Sequence, residues 1–160
     1  FRRVLFRSLQ RGRVAFDESY SARRFPRFDA PLTKIPKKRP GEFRTIAIPT
    51  LEQKRAARWM LPVLAGWIDD RLPLHGFVQG RNPVTNAKVH LNFRWSLCFD
   101  LEDFFDCVTV EKLVASRLPS SLAEAITDAE GIARQGYPTS PSAANIAFQA
   151  VDRQIGRAHV

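Results

Sequence analysis

Two short stretches of the chain carry residue types that could do chemistry. The first is acidic: Phe99-Asp100-Leu101-Glu102-Asp103-Phe104-Phe105 follows on from a run, residues 95–101 (WSLCFDL), that is too short and too β-prone for a core helix. Strand alternation would put Asp100 and Glu102 on one face. A carboxylate at the end of a buried strand is fixed by the sheet yet open to substrate, which suits a hard cation such as Mg²⁺. Paired divalent ions join nucleotides: one lowers the pKa of an attacking hydroxyl while the other neutralises the triphosphate and leaving oxygen. A solvated acidic turn would use the same residues. The second stretch, Gln135-Gly136-Tyr137-Pro138-Thr139-Ser140-Pro141, is harder to explain as packing. Two prolines and a glycine specify an exposed loop whose side chains could meet a nucleotide and template. The small residues that open the next helix would let a nucleic-acid backbone come close. The plain alternative is a proline-rich turn between helices.

The elements that must position these stretches are readable from periodicity. Residues 32–49 alternate apolar and polar on both sides of Arg39-Pro40-Gly41-Glu42, where Pro-Gly fits a type II turn, so a β-hairpin with a basic tip is predicted. Thr50 and Gln53 form a capping box for a helix over about 51–71, with Ala56, Trp59, Met60, Val63, Leu64, Trp67 and Ile68 at helical spacing. Pro62 should kink it. Residues 75–81 are Gly-punctuated loop, 84–90 a short helix, and 95–101 a strand. Helices are expected over 110–118 and 122–130, then a loop over 134–141. A last helix over 142–154 offers Ala144, Ile146, Ala147, Phe148 and Val151 for burial. Residues 9–30 read as Arg-rich loop with one short helix.

Both ends read as foreign. Residues 1–8 (FRRVLFRS) translate TTC AGA CGT GTG CTC TTC CGA TCT, a common short-read sequencing adaptor, and residues 155–160 (IGRAHV) translate part of its reverse complement. Residues 9–154 are therefore expected to be the natural segment. The formal charge is +9, or +5 (9 − 4) without Arg2, Arg3, Arg7 and Arg157. Residues 9–58 hold thirteen Lys or Arg against five Asp or Glu, and the rest is slightly acidic. A basic lobe ahead of an acidic one suits a protein that grips phosphates with one part and holds metal ions with another. A solvated basic surface is the alternative. Cys98 and Cys107 have no C-x-x-C spacing, so a reduced, cytoplasmic setting is expected. No apolar stretch reaches the roughly 20 residues that cross a bilayer.

At this point a resemblance becomes specific. F-D-L-E-D-F-F, followed 35 residues after Asp100 by Q-G-x-P-T-S-P, resembles motifs A and B of reverse transcriptases. Upstream, Ile35-Pro36-Lys37-Lys38 with Phe43-Arg44-Thr45-Ile46 resembles the fingers hairpin. His75-Gly76-Phe77-Val78 with Gly80-Arg81 resembles the next block of bacterial enzymes. Asn86-Ala87-Lys88-Val89-His90 matches N-A-x-x-H, a pattern associated with retron enzymes. The resemblance covers nearly all of residues 32–152.

It implies an α+β fold: the fingers and partial palm of a right-hand polymerase, with an incomplete palm sheet. Residues 9–99 would be fingers and start of palm, and 100–154 partial palm. The implied activity is RNA-directed DNA polymerisation with two Mg²⁺ ions, an RNA template and primer, deoxynucleoside triphosphates and a retron non-coding RNA, in a setting of antiviral defence. Residue by residue, Asp100 would bind both ions and Leu101 would lend one a backbone carbonyl. Phe105 would be the steric gate that excludes a ribose 2′-hydroxyl, although an ordinary core Phe after a strand has the same pattern. Gln135 and Gly136 would meet the incoming nucleotide or the template-side backbone. Arg44 and Lys38 would contact the triphosphate, Arg44 foremost because its planar fork suits phosphate oxygens. Lys38 could simply solvate the hairpin tip.

The departures from the family pattern matter as well. No aromatic-x-Asp-Asp motif follows Gln135, so these residues alone are expected to be inactive. Trp67-Ile68-Asp69-Asp70 mimics that motif but precedes the acidic stretch and reads as helix-end acids. Ala133-Arg134 replaces a usual Leu-Pro, and Tyr137 stands where a small residue is usual. His90 reads as a hydrogen-bonded structural histidine. A non-catalytic nucleic-acid-binding scaffold and a group II intron-type enzyme are the alternative functions.

Overall fold

The computed structural model describes residues 29–98 and 100–158, with side chains to residue 154. The readings for residues 1–28, for Phe99 and for 159–160 lie outside the described residues. In chain order the elements are β1 (Leu32–Pro36), β2 (Phe43–Ala47), α1 (Leu51–Ala65), α2 (Pro83–Val89), a 3₁₀ turn (Phe104–Cys107), α3 (Val110–Ala115), α4 (Ser120–Ala125) and α5 (Ser140–Ala158). This is a mixed α/β arrangement with a small, open, two-stranded sheet.

Local chemistry produces the elements at the front of the chain. β1 and β2 pair antiparallel, from Leu32 opposite Ala47 to Pro36 opposite Phe43. The Glu42 N–H donates to the Arg39 carbonyl at 3.2 Å across Pro40-Gly41, and Gly41 takes φ +83°. That is the expected type II turn, whose third position needs a residue without a Cβ. Thr50 caps α1 through the predicted box, its hydroxyl accepting from the Gln53 N–H while the Gln53 side chain accepts from the Thr50 N–H at 2.8 Å. Asn82 does the same for α2, and Pro83 sits where a missing N–H costs nothing.

Several expectations need correcting. α1 stops at Ala65 rather than near residue 71. The N–H groups of Gly66, Trp67 and Ile68 reach carbonyls three residues back rather than four, so the last turn tightens and the chain leaves the helix. Ala57, Met60 and Leu64 face the core, while Trp59 and Trp67 face solvent. The strand over 95–101 is absent from its described residues, and Trp95 and Leu97 are each 86% exposed. Strand propensity reports fit to a half-buried pleated surface, and the described residues offer this segment no neighbouring strand for its backbone groups. Asp100 and Glu102 therefore share no sheet face.

The two middle helices are shorter than expected. Arg117, at φ +70°, turns the chain out after α3. α4 begins at Ser120 and ends at Ala125. Beyond α4 the chain folds back on the start of α3: Thr109 bridges Ile132, the Val110 N–H donates to Gly131 at 2.9 Å, and the Ala133 N–H donates to Val108 at 2.9 Å. α5 begins two residues earlier than expected, with Ser140 and Pro141 in its first turn, and it continues through residue 158. Ala144 and Ile146 are buried as expected, but Val151 faces solvent.

Met60 and Leu64 of α1, Leu113 of α3, Leu122 of α4 and Ile146 of α5 meet in one core, joined by Val108, Leu118 and Ile126. Ile146 is fully enclosed, so deleting three of its carbons leaves a cavity that its neighbours fill only partly. Ile146→Ala should therefore cost about 2–5 kcal/mol, read as a lower urea midpoint with an unchanged slope.

Candidate functional site

The acidic segment is solvent-exposed. Asp100 Oδ1 accepts the Leu101 N–H at 3.0 Å, an interaction confined to adjacent residues. Glu102 and Asp103 are also exposed, and Asp103 enters the 3₁₀ turn in a left-handed conformation, φ +46°. The turn points Phe104 and Phe105 toward the core. Their rings meet edge-on at 5.6 Å, and Phe104 lies against Phe148 of α5 at 4.6 Å. Phe105 is half-buried and packs against the core cluster, so its ring is held in place while part of it stays accessible.

The hairpin approaches this segment through a residue that the sequence reading quoted without giving it a role. Lys37 Nζ lies 3.4 Å from Asp103 Oδ1, linking the turn side of the hairpin to the acidic stretch. Lys38 and Arg44 are exposed, and neither has an ion-pair partner among the described residues. Arg44 sits opposite Ile35 across the ladder.

The loop over 135–141 is not the exposed loop expected. Tyr137, Thr139 and Ser140 are buried, Gln135, Pro138 and Pro141 are half-buried, and only Gly136 is fully exposed. The cause is its position between the base of the hairpin and α5. The Ala47 N–H donates to the Gln135 carbonyl at 2.7 Å, and the Ala30 N–H donates to the Tyr137 hydroxyl at 2.8 Å. Gly136 has φ +115°, and a Cβ built on it would collide with the Ala47 carbonyl. Ser140 Oγ closes the loop on the Arg134 carbonyl at 2.6 Å. Burial pushes the Tyr137 hydroxyl above its ordinary range, against the opposing pull of the Ala30 N–H.

Arg134, noted in the sequence only as a departure, is an electrostatic hub. Its Nε lies 2.6 Å from Asp128 Oδ2, its Nη1 3.2 Å from Asp106, and its Nη2 3.7 Å from Glu130. Burial works against its charge, but the hydrogen bond to Asp128 and the charges of Asp128 and Asp106 outweigh it and hold the guanidinium above its usual range. Asp106 lies on the 3₁₀ turn, so the hub ties the acidic segment to the loop. Three acids spaced around one Arg are visible in the sequence only once the 128–134 turn is known.

Among the described residues no three His, Cys, Asp or Glu side chains are grouped to hold a metal ion. Asp100 is thus a single carboxylate, short of a complete ligand set. Cys98 and Cys107 are free and exposed. Asp69 and Asp70 lie beyond the end of α1, and Asp69 is occupied: Arg71 contacts it at 2.9 Å, Arg153 at 3.8 Å, and its N–H donates to Gln149 at 2.8 Å. The Arg71 hydrogen bonds hold its carboxyl down to about 2. Asp69 is thus engaged in contacts within the protein, in the turn past α1 rather than at the helix end that the sequence suggested. His90 caps the end of α2, and His75 Nδ1 lies 3.0 Å from Thr85 Oγ1. No helix among the described residues is long and apolar enough to cross a membrane.

Comparison with known proteins points to the same family. The family model described as reverse transcriptase (RNA-dependent DNA polymerase) matches residues 35–159. The retron Mx162 reverse transcriptase of Myxococcus xanthus is 43% identical over 76 residues, 45% of this chain and 15% of the relative. The retron Ec86 reverse transcriptase of Escherichia coli is 31% identical over 76% of this chain and 39% of its own length. The retron Mx65 reverse transcriptase of Myxococcus xanthus is 31% identical over 74% of this chain and 34% of the relative. The chain thus spans well under half the length of these three relatives. No solved structure matches.

Asp69 gives the site region a signature in acid. Its folded pKa, about 2, lies below the ordinary 3.8, so its contribution to stability is fully present above pH ~4 and is lost as pH falls through ~2. Asp69→Asn should unfold at lower denaturant than the unsubstituted chain at neutral pH. The two midpoints should converge in titrations taken toward pH ~2.

Proposed function

Because this chain belongs to the reverse transcriptase family and is retron-like within it, we propose that it forms the fingers and the first half of the palm of an RNA-directed DNA polymerase, which extends a primer on an RNA template with deoxynucleoside triphosphates. The observation that carries this reading is the meeting of three motif segments that lie far apart in the sequence. The hairpin touches the acidic segment through Lys37 and Asp103 at 3.4 Å, and the Gln135 loop through Ala47 at 2.7 Å. A basic hairpin between an exposed carboxylate and a glycine loop suits a nucleoside triphosphate, whose phosphates need cations and whose sugar and base need a shaped surface.

In this reading Arg44 and Lys38, both exposed and free of carboxylate partners among the described residues, neutralise the triphosphate. Arg44 does so in bidentate fashion. Phe105, steadied by Phe104, closes the space beside the sugar and excludes a 2′-hydroxyl. The Gln135 carbonyl is already committed to Ala47. Contact with nucleotide or template backbone therefore falls to its side-chain amide, with Gly136 leaving room for the approach. Family membership implies metal-dependent catalysis in general. Of the described residues, Asp100 and the Leu101 carbonyl are the candidates for Mg²⁺, which would supply charge neutralisation and an acidified 3′-hydroxyl. They do not make a site unaided, and the remaining ligands must come from outside the described residues.

Primer extension by the intact enzyme on an RNA template tests the reading. Asp100→Asn should reduce synthesis to background while leaving the fold intact, and undiminished synthesis would remove Asp100 from the chemistry. Phe105→Ala should raise ribonucleotide use relative to deoxynucleotide use by about 10- to 200-fold, the range set by one missing group in a closed pocket. Unchanged sugar discrimination would return Phe105 to the role of a core residue.

A further inference from the structure

The hairpin cannot hold its own place. All five residues of β1 are exposed and only Ala47 of β2 is buried. A two-stranded hairpin without a packed face is marginal in water, so its orientation must be set where its arms enter the body of the protein. Both arms arrive at the same three residues. Ala30, just before β1, donates its N–H to the Tyr137 hydroxyl at 2.8 Å, and Ala47, at the end of β2, donates its N–H to the Gln135 carbonyl at 2.7 Å. The Ile48 N–H then ties the arms to each other at the Pro31 carbonyl, 3.0 Å away. Between the two anchors Gly136 packs so closely on Ala47 that no side chain fits.

We propose that Tyr137 is a positioning residue for the nucleotide site: its buried ring and hydroxyl, together with Gly136, fix the angle at which the hairpin presents Arg44 and Lys38. This rests on the polymerase reading above. Tyr137 is 3% exposed, so its ring is a rigid strut whose far end meets a backbone N–H 107 residues away in sequence. Phenylalanine keeps the strut and removes only the hydroxyl, and with it the acceptor for Ala30. The Ala30 N–H then loses its partner, and the first arm of the hairpin is released while the second stays latched to Gln135. Lys37 and Asp103 alone would remain to hold the turn side, and that pair is partly exposed and screened by salt. Arg44 and Lys38 would spend less time in the geometry that meets the phosphates, which weakens nucleotide binding without altering the reacting groups.

Two measurements on the intact enzyme test this. In steady-state primer extension, Tyr137→Phe should raise KM for the deoxynucleoside triphosphate about fivefold to tenfold, the worth of one hydrogen bond, with kcat within about twofold. Gly136→Ala, which displaces Ala47 itself, should raise it further. In native-state hydrogen exchange, Tyr137→Phe should speed exchange at the amide of Ala30 and leave those of Leu122 and Ile146 unchanged. Unaltered KM with unaltered exchange at Ala30 overturns the proposal. Equal loss of protection at Leu122 and Ile146 also overturns it, since Tyr137 would then be an ordinary core residue. If the unsubstituted enzyme makes no DNA, the polymerase reading fails by itself, and the exchange data still decide whether Tyr137 anchors the hairpin.

Discussion

Gln149 on α5 donates to the Trp67 carbonyl at 2.9 Å and accepts the Asp69 N–H at 2.8 Å, holding from both sides a turn that has just left its helix. The same helix repeats this with other segments. Asn145 donates to the Gly76 carbonyl at 2.9 Å, the Ala147 carbonyl accepts from Ser116 at 3.4 Å, and Phe148 receives Phe104. Backbone groups in irregular chain must find partners somewhere, and residues 66–82, 90–98 and 100–103 lie outside the helices and strands. Arg81 performs a related task from within, donating to the carbonyls of Asp70, Leu72 and Leu74. The apolar face of α5 builds the core while its polar side chains organise the turns around it. The loop that starts α5 has anchors of its own, Ser140 on the Arg134 carbonyl and Tyr137 under Ala30.

That anchoring bears on the candidate site. Arg134 draws Asp106, Asp128 and Glu130 to the entry of the loop, and Tyr137 carries the loop under the hairpin. The acidic segment, the loop and the hairpin are tied pairwise by contacts of different kinds: an ion pair at Lys37–Asp103, a backbone bond at Ala47–Gln135, and the Arg134–Asp106 pair. Arg44, Lys38 and Asp100, the residues proposed to bear charge for a substrate, remain exposed in the frame these ties make. Neutralising them internally would oppose binding, so their lack of ion-pair partners among the described residues fits a surface meant for a charged ligand.

Much of the candidate site was legible as motif and little of it as geometry. Asp100, Phe105, Gln135 and Arg44 are singled out by the resemblance of ordered motifs to a family pattern, which requires no knowledge of packing. The expected strand under Asp100 failed because pairing depends on a neighbour, and the β-prone residues of 95–98 stand exposed without one among the described residues. The 135–141 loop was expected outside because its prolines and glycine resemble those of surface turns. Its burial comes from Tyr137, whose aromatic body and single hydroxyl suit a protein interior as well as a surface. Lys37, Arg134 and Gln149 were passed over because a charged or amide side chain announces no partner until the fold supplies one.

The sequence by itself determined the features whose partners lie within a few residues. The Pro40-Gly41 turn, the Thr50–Gln53 box and the Asn82 cap each close within four residues, so the chain's own covalent geometry brings the groups together. Tertiary structure alone decided where α1 ends, that residues 95–98 do not form a strand, and that Tyr137 reaches Ala30. The physical reason is sequence separation. Gln149 and Trp67 are 82 residues apart and Ala30 and Tyr137 are 107 apart. Neither contact exists until the core around Ile146 has brought those segments within hydrogen-bond distance.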